Sequence, residues 1–235
     1  MGGSVVEAVS FDIWGTLLDL NRYYAVVARK LSAISGRPVE ELYRLTLEAY
    51  REALRARLEG SFRRIVVDSA EFFSAKLGVQ VEDLFTAVVA SIEDPEVAEL
   101  AYPDAAEALE TVRSSGYRVA ALGNVMFWPG MVTRYMLHRC GLLRYFHLTV
   151  FSDEVGLHKP SREVFEYVAQ KLGVELSSLV HVGDSVENDL AGAVVAGAKA
   201  VLVSREVPIA KLRLGRGAYL VSSLRHLPEV LRELT

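Results

Sequence analysis

A single cysteine, Cys140, stands in 235 residues. It excludes an intrachain disulfide and fits a reducing compartment. Asparagine and glutamine are nearly as scarce, with three Asn (21, 124 and 188) and two Gln. Lysine occurs six times against twenty arginines, with no basic block and a net charge of about −4. A nucleic-acid surface needs a basic stripe, so nucleic acid is excluded as a partner. Long apolar runs are missing too. The longest uncharged stretch, Val119 to Thr133, is broken by Gly123, Asn124, Pro129 and Gly130, and it falls short of the roughly 18 apolar residues of a membrane span. The opening segment has neither a charged n-region nor a cleavage site. The expectation is a cytoplasmic protein with no membrane partner that acts on a small molecule as a monomer or homodimer.

What remains is an ordinary globular composition, 51% hydrophobic and 24% charged, in a chain long enough for one large domain or a core with an insertion. Residues 5–11 are rich in β-branched and aromatic side chains and read as a first strand. From about Tyr23 to Ala101 the period becomes helical, in "YYAVVARKLSAI", "VEELYRLTLEAYREALRARL", "RIVVDSAEFFSAKL" and "VEDLFTAVVASI". Tyr23, Tyr24, Phe72, Phe73 and Phe85 fall at core positions of that bundle. After Ala101, strands such as "YRVAALG", "HLTVF", "LVHVG" and "KAVLVS" alternate with helices, the pattern of a parallel sheet covered on both faces. The predicted architecture is α/β: a doubly wound, Rossmann-like core from residues 1–18 and 101–235, with an all-helical cap at 19–100.

Ligands of such sheets bind beyond the carboxyl ends of the strands. There the chain places Asp12 after the first strand, Gly123 and Asn124 after the next core strand, Asp184 after a later one, then Asp189, with Lys159 in the loop "GLHKPS". Carboxylates gathered in one cleft resist ionising unless a cation intervenes. Lys159 supplies one charge, and Mg²⁺, which favours oxygen ligands, would supply two more. A carboxylate so placed can act as a covalent nucleophile, and backbone amides at Gly15-Thr16 and after Asn124 can hold anionic oxygens.

"FDIWGTLLD", "ALGNV", "GLHKPSREVF" and "HVGDSVENDLAGA" together resemble the four motifs of the haloacid dehalogenase-like (HAD) hydrolase superfamily, in order and in spacing. The resemblance covers nearly the whole chain, including the helical insertion after the first motif. It implies that Asp12 is the nucleophile, that Thr16 braces the first turn and that Asn124 meets the substrate's anionic group. Lys159 would hold nucleophile and substrate charge together. Asp184 and Asp189 would organise Mg²⁺, with Asp12 and the Trp14 carbonyl as further ligands.

Three departures narrow the activity. Phosphatases of the superfamily usually carry Asp where Trp14 stands, as the acid that protonates the leaving oxygen, a contribution of about 10²–10⁴-fold. The 2-haloacid dehalogenases have Tyr there, so an aromatic residue is nearer their state, and Arg44 on "ELYRLTLEAY" is similar to their halide-binding Arg. Gly123 replaces the usual Ser or Thr and removes a hydroxyl donor to the substrate. The fourth motif points the other way: "GDSVEND" keeps an acidic pair suited to Mg²⁺, where dehalogenases need no metal, and Phe165 stands where they carry Tyr. The expectation is a Mg²⁺-dependent phosphohydrolase acting on a small phosphorylated molecule. A 2-haloacid dehalogenase and a non-catalytic ligand-binding member are the alternatives. His158 and His181, which flank motif residues, read as structural.

Overall fold

The computed structural model describes residues 5–234. The elements run β1 (Ala8–Phe11), α1 (Leu20–Ser35), α2 (Val39–Leu58), α3 (Ile65–Leu77), α4 (Val81–Ile92), α5 (Ala105–Ser114), β2 (Arg118–Gly123), α6 (Gly130–Arg139) and β3 (Leu148–Phe151). They continue as α7 (Ser152–Val155), α8 (Arg162–Leu172), β4 (Leu179–Gly183), α9 (Gly192–Ala196), β5 (Lys199–Val203), β6 (Lys211–Gly215), β7 (Ala218–Val221) and α10 (Leu227–Leu234).

The chain divides into two compact units. The first comprises Met1–Leu18, Ala101–Asn124 and Gly141–Thr235. It holds a seven-stranded sheet of order β3-β2-β1-β4-β5-β7-β6. All pairs are parallel except β6 with β7. Central strands of this kind are buried on both faces, which is why β1, β2 and β4 read as unbroken apolar runs rather than alternating ones. Val164, Phe165 and Val168 of α8 and Ala193 and Ala196 of α9 pack with Ala8, Ala120, Leu122 and Ala200 of the sheet. Small alanines on the strands let the helices approach closely, and larger helix side chains fill the gap.

Strand β1 lies between β2 and β4, with Phe11 level with Ala121 on one side and Val182 on the other. Successive crossovers leave β1 in opposite directions, which opens a crevice at its carboxyl end. Strand β6 lacks the apolar signature of the other strands. It is an exposed edge: its charged and apolar residues alternate, but Leu212 and Leu214 are open to solvent, so the alternation marks no buried face. A π-helical segment, Val186–Ala191, precedes α9 where the sequence pattern suggests plain helix.

The second unit comprises Asp19–Leu100 and Val125–Cys140. Helix α1 starts on Asp19, whose side chain accepts the Arg22 amide, and stops on Gly36. Helix α6 joins α1–α4 in this unit. The physical reason is aromatic packing: Phe127 lies 4.4 Å from Phe73 between ring centroids, and Trp128 lies 5.1 Å from Tyr23. Edge-to-face and tilted ring pairs of this kind add about 0.5–1.5 kcal/mol each beyond their buried area. The Tyr23 hydroxyl meets Ser91 Oγ at 2.8 Å, so its buried oxygen keeps a partner.

Candidate active site

Asp12 is the first residue past β1, and its amide still donates to Val182 O at 2.8 Å, so the strand's hydrogen bonding carries it to the sheet edge. It is 9% exposed. Lys159, 1% exposed, donates from Nζ to Asp12 Oδ1 at 2.6 Å and to Asp189 Oδ1 at 2.7 Å. A buried ammonium between two carboxylates is stable only because each partner repays part of its lost hydration.

The loop carrying Lys159 is fixed by Asn124. The side-chain amide of Asn124 donates to Lys159 O at 2.9 Å, and its oxygen accepts the Lys159 amide at 2.9 Å. Both ends of this side chain are thus engaged with the lysine backbone, which leaves the second Nδ2 hydrogen as what the side chain can offer an anion. At Gly123 any side chain, including the hydroxyl residue common in the superfamily, would be tightly placed. A Cβ there would meet Ile13 Cδ1 at 3.0 Å and the Phe151 ring at 3.1 Å.

Asp189, 2% exposed, sits on the π-helical segment and accepts three donors: Lys159, His181 Nε2 at 3.0 Å, and the Ser185 amide at 2.9 Å. His181 Nδ1 lies 2.8 Å from Ser10 Oγ. Since Asp189 only accepts, Nε2 carries the proton and Nδ1 accepts from Ser10, which assigns the neutral tautomer. Burial lowers the His181 pKa, in keeping with that form. A relay of fixed groups therefore runs from Ser10 through His181, Asp189 and Lys159 to Asp12.

Asp184 follows β4 and keeps a solvent-accessible carboxylate. Thr16 Oγ1, fully buried, faces its Oδ1 at a long 3.5 Å. Gly15 lies against the same group at φ +88°, and a Cβ on it would come within 2.2 Å of Asp184 Oδ2. Gly183 is as tightly placed against Asp189, where a Cβ would fall 2.2 Å from Cγ. Only glycine fits either place. Trp14 is half-buried on the turn between them, which closes through Gly15 N to Leu18 O and through Leu17 N and Leu18 N to Ile13 O, each at 2.8 Å.

The electrostatics follow from crowding. Burial raises the Asp12 pKa to about 6, although Lys159 pulls it down. Asp184 rises to about 7, through desolvation by the surrounding protein and then through the charges of Asp12 and Asp189. Burial works to raise Asp189 as well, but Lys159 and His181 outweigh it and hold that carboxyl below the usual range. Lys159 is held protonated against its own burial by Asp12 and Asp189.

These residues fit a hard divalent cation. Ligand oxygens of Asp12, Asp184 and Asp189 all lie within 4.8 Å of one another. Two of the three carboxylates resist ionising, first through desolvation and then through one another's charge, and an all-oxygen donor set is the kind Mg²⁺ selects. Arg44 belongs to the other unit, on α2, where its exposed guanidinium pairs with Glu48 at 2.9 Å.

Three contributors carried no sequence signal strong enough to single them out. Ser10 and His181 are buried neighbours on β1 and β4, and their inward polar side chains on apolar strands were the available clue. Arg205, one of twenty arginines, follows β5 and reaches the turn at Gly15-Thr16. Its place after a strand's carboxyl end was its only mark.

Residues 6–197 match the family model of a haloacid dehalogenase-like hydrolase. A glyceraldehyde 3-phosphate phosphatase of Methanothermobacter thermautotrophicus is 29% identical over 86% of this chain and 88% of its own. An (S)-2-haloacid dehalogenase of a Pseudomonas species is 26% identical over 98% of both chains. The crystal structure of a HAD phosphatase from Thermococcus onnurineus superposes with a TM-score of 0.64 at 28% identity, covering 96% of this chain and 98% of that one. Some other curated relatives are matched over about half of their length or less, 52% of one and 41% of another.

Proposed function

Because this chain belongs to the haloacid dehalogenase-like hydrolases, we propose that it is a Mg²⁺-dependent phosphohydrolase of a small phosphorylated molecule, with Asp12 as its nucleophile. The observation that carries the reading is a lysine-held Asp12 whose ligand oxygen lies within 4.8 Å of that of the solvent-accessible Asp184, both carboxyls raised in pKa first by desolvation. A metal-independent dehalogenase would keep the Asp12 nucleophile but has no use for Asp184. The phosphatase relative that is similar over 86% of this chain supports the same side.

In the proposed reaction a carboxylate oxygen of Asp12 attacks phosphorus, the P–O bond to the leaving group breaks, and an aspartyl phosphate forms. Lys159 keeps Asp12 ionised and oriented while the charge on the phosphoryl oxygens develops. The Gly15 amide is already given to Leu18 O, so the Thr16 amide is the backbone donor that the first turn offers to those oxygens. Asp12, Asp184 and the Trp14 carbonyl, with Asp189 behind them, would hold Mg²⁺, which supplies neutralising charge to the phosphoryl group when bound. Trp14 has no proton to give, so the departing oxygen must leave as a stable anion, as an acyl or aryl oxide does. Water then attacks phosphorus, releasing inorganic phosphate and the free Asp12 carboxylate.

The aromatic Trp14, since halide leaves unprotonated, and the resemblance of Arg44 to a halide-binding Arg are the features that favour halide departure instead. A paired assay separates the two: p-nitrophenol release from p-nitrophenyl phosphate, and halide release from 2-chloropropionate, each with and without Mg²⁺. The expected outcome is Mg²⁺-dependent phosphate cleavage that falls by about 10³-fold or more in Asp12→Asn. Metal-independent halide release by the same preparation would replace this reading with the dehalogenase one.

A further inference from the structure

We propose that Arg205 is a positioning residue of the site, clamping the Gly15-Thr16 turn against Asp184; this inference rests on the reading of Asp184 as a metal-facing carboxylate. The turn from Ile13 to Leu18 satisfies several of its N–H groups internally, with Leu17 and Leu18 donating to Ile13 O and Gly15 donating to Leu18 O. Two carbonyls point elsewhere, and Arg205 takes both. Nη1 donates to Gly15 O at 3.3 Å, and Nη2 donates to Thr16 O at 3.0 Å.

The guanidinium is itself immobilised. Nη2 also donates to Asp104 Oδ1 at 3.0 Å, and the Arg205 Cζ lies 3.8 Å from the centroid of the Tyr102 ring. The other oxygen of Asp104 accepts Ser223 Oγ at 2.7 Å and the Leu224 amide at 2.9 Å. The Tyr102 amide donates to Leu17 O at 2.9 Å, closing the arrangement back onto the turn. Two segments distant in sequence, 15–16 and 102–104, therefore meet on one planar cation, with 223–224 holding Asp104 from behind.

The turn has no slack on its far side. A Cβ at Gly15 would lie 2.2 Å from the Asp184 carboxylate, and Thr16 Oγ1 faces the same group. A displacement of the turn is thus passed directly to Asp184, and to the Trp14 carbonyl one residue away. A fork is needed for this work. Lysine offers a point charge that can reach one carbonyl, whereas arginine holds two carbonyls and a carboxylate in one plane. Supporting residues of this kind alter metal affinity or activity by about 10–100-fold when removed.

The test uses the full-length protein with Arg205→Met and Arg205→Lys, Mg²⁺ titration calorimetry on metal-free protein, kcat and KM for p-nitrophenyl phosphate, and a thermal melt. Arg205→Met is expected to weaken Mg²⁺ binding about tenfold and lower kcat by about 10–100-fold with KM little changed. Arg205→Lys should recover part of both. A lowered melting temperature with wild-type Mg²⁺ affinity and kcat overturns the proposal and leaves Arg205 a structural residue. If the wild type binds Mg²⁺ but cleaves no phosphate, the phosphohydrolase reading fails while the calorimetric comparison still decides this one. A wild type that binds no Mg²⁺ overturns both.

Discussion

In the helical unit, acid and base meet in water. Arg44 pairs with Glu48 at 2.9 Å, Arg64 with Asp68 at 3.1 Å and Lys76 with Glu52 at 2.5 Å, and the arginine and lysine side chains are 44–69% exposed. At the edge of the sheet the same chemistry is dry: Lys159, 2% exposed at its side chain, meets Asp12 and Asp189 at 13% and 3%. Solvated pairs contribute about 0.2–1 kcal/mol each, net of the side-chain entropy lost in holding them, with little desolvation to repay. Taking a charge out of water costs several kcal/mol per ion, which mutual attraction only partly returns. These helical-unit pairs therefore sit where charge is cheap, and the sheet-edge cluster sits where it is expensive. Stability alone would favour an apolar cluster at that edge, so under the proposed reading the buried charges serve reactivity.

Breaking the dry cluster should give the largest effect. Lys159→Met removes the shared cation and leaves two carboxylates facing each other without compensation, at a cost of about 3–5 kcal/mol. Asp12 would answer by protonating, so the loss should be greatest near pH 8 and shrink toward pH 5. Urea unfolding of the variant at both pH values measures this. An equal loss at both would mean that packing of the lysine stem, rather than its charge, is what the cluster needs.

Acidity sharpens the comparison next. The folded pKa values of Asp12 and Asp184, about 6 and about 7, lie above the 3.8 of the free side chain. The folded metal-free protein therefore binds more protons than the unfolded chain between about pH 4 and 7, and its stability falls as pH rises through that window. Mg²⁺ must displace those protons, so its affinity should drop about tenfold per pH unit for each carboxylate still protonated. Titration calorimetry from pH 5.5 to 8.5 in buffers of differing ionisation heat reads both the affinity and the protons released. The exposed pairs of the helical unit should leave no such signature, and pH-independent Mg²⁺ binding would remove the electrostatic account of the site.

How far these differences were legible depends on what carries each residue. Asp12 and Asp184 announce themselves, because an apolar strand that stops on a carboxylate breaks its own pattern. Lys159 is legible only by company: six lysines leave few candidates, and one falls between two strand ends. The role of the Asn124 side chain was not legible, since its partners are the backbone atoms of a loop 35 residues away. Arg205 and Asp104 were hidden for the same reason. The grouping of α6 with α1–α4 rests on where Phe127 and Trp128 insert their rings, and periodicity reports burial without saying against what. Strand positions and helix faces are thus local information, and tertiary partners are not.

Gly123 offers a smaller test, at the boundary between packing and chemistry. Gly123→Ser would restore the donor found elsewhere in the superfamily, yet its Cβ would approach Ile13 Cδ1 and the Phe151 ring at 3.0–3.1 Å. Overpacking of this size costs about 1–3 kcal/mol, and the lower end is expected because a terminal methyl of Ile13 can give way. Adding Ile13→Val should return most of that stability and expose any gain in kcat from the hydroxyl. If the single variant is as stable as wild type, Ile13 is not what excludes a side chain at this position.

Arg44→Ala should do least of all. Its guanidinium is 60% exposed and paired only one helical turn away, so the loss in stability is expected within about 0.5 kcal/mol. Under the phosphohydrolase reading, kcat/KM for p-nitrophenyl phosphate should stay within about twofold of wild type, because no charge of the sheet-edge cluster depends on it. Thermal unfolding and steady-state kinetics together check both halves. A stable Arg44→Ala protein that has lost activity would make this surface pair functional rather than decorative. The contrast between solvated and buried charge would then fail at the residue where it makes its weakest claim on stability and its sharpest one on mechanism.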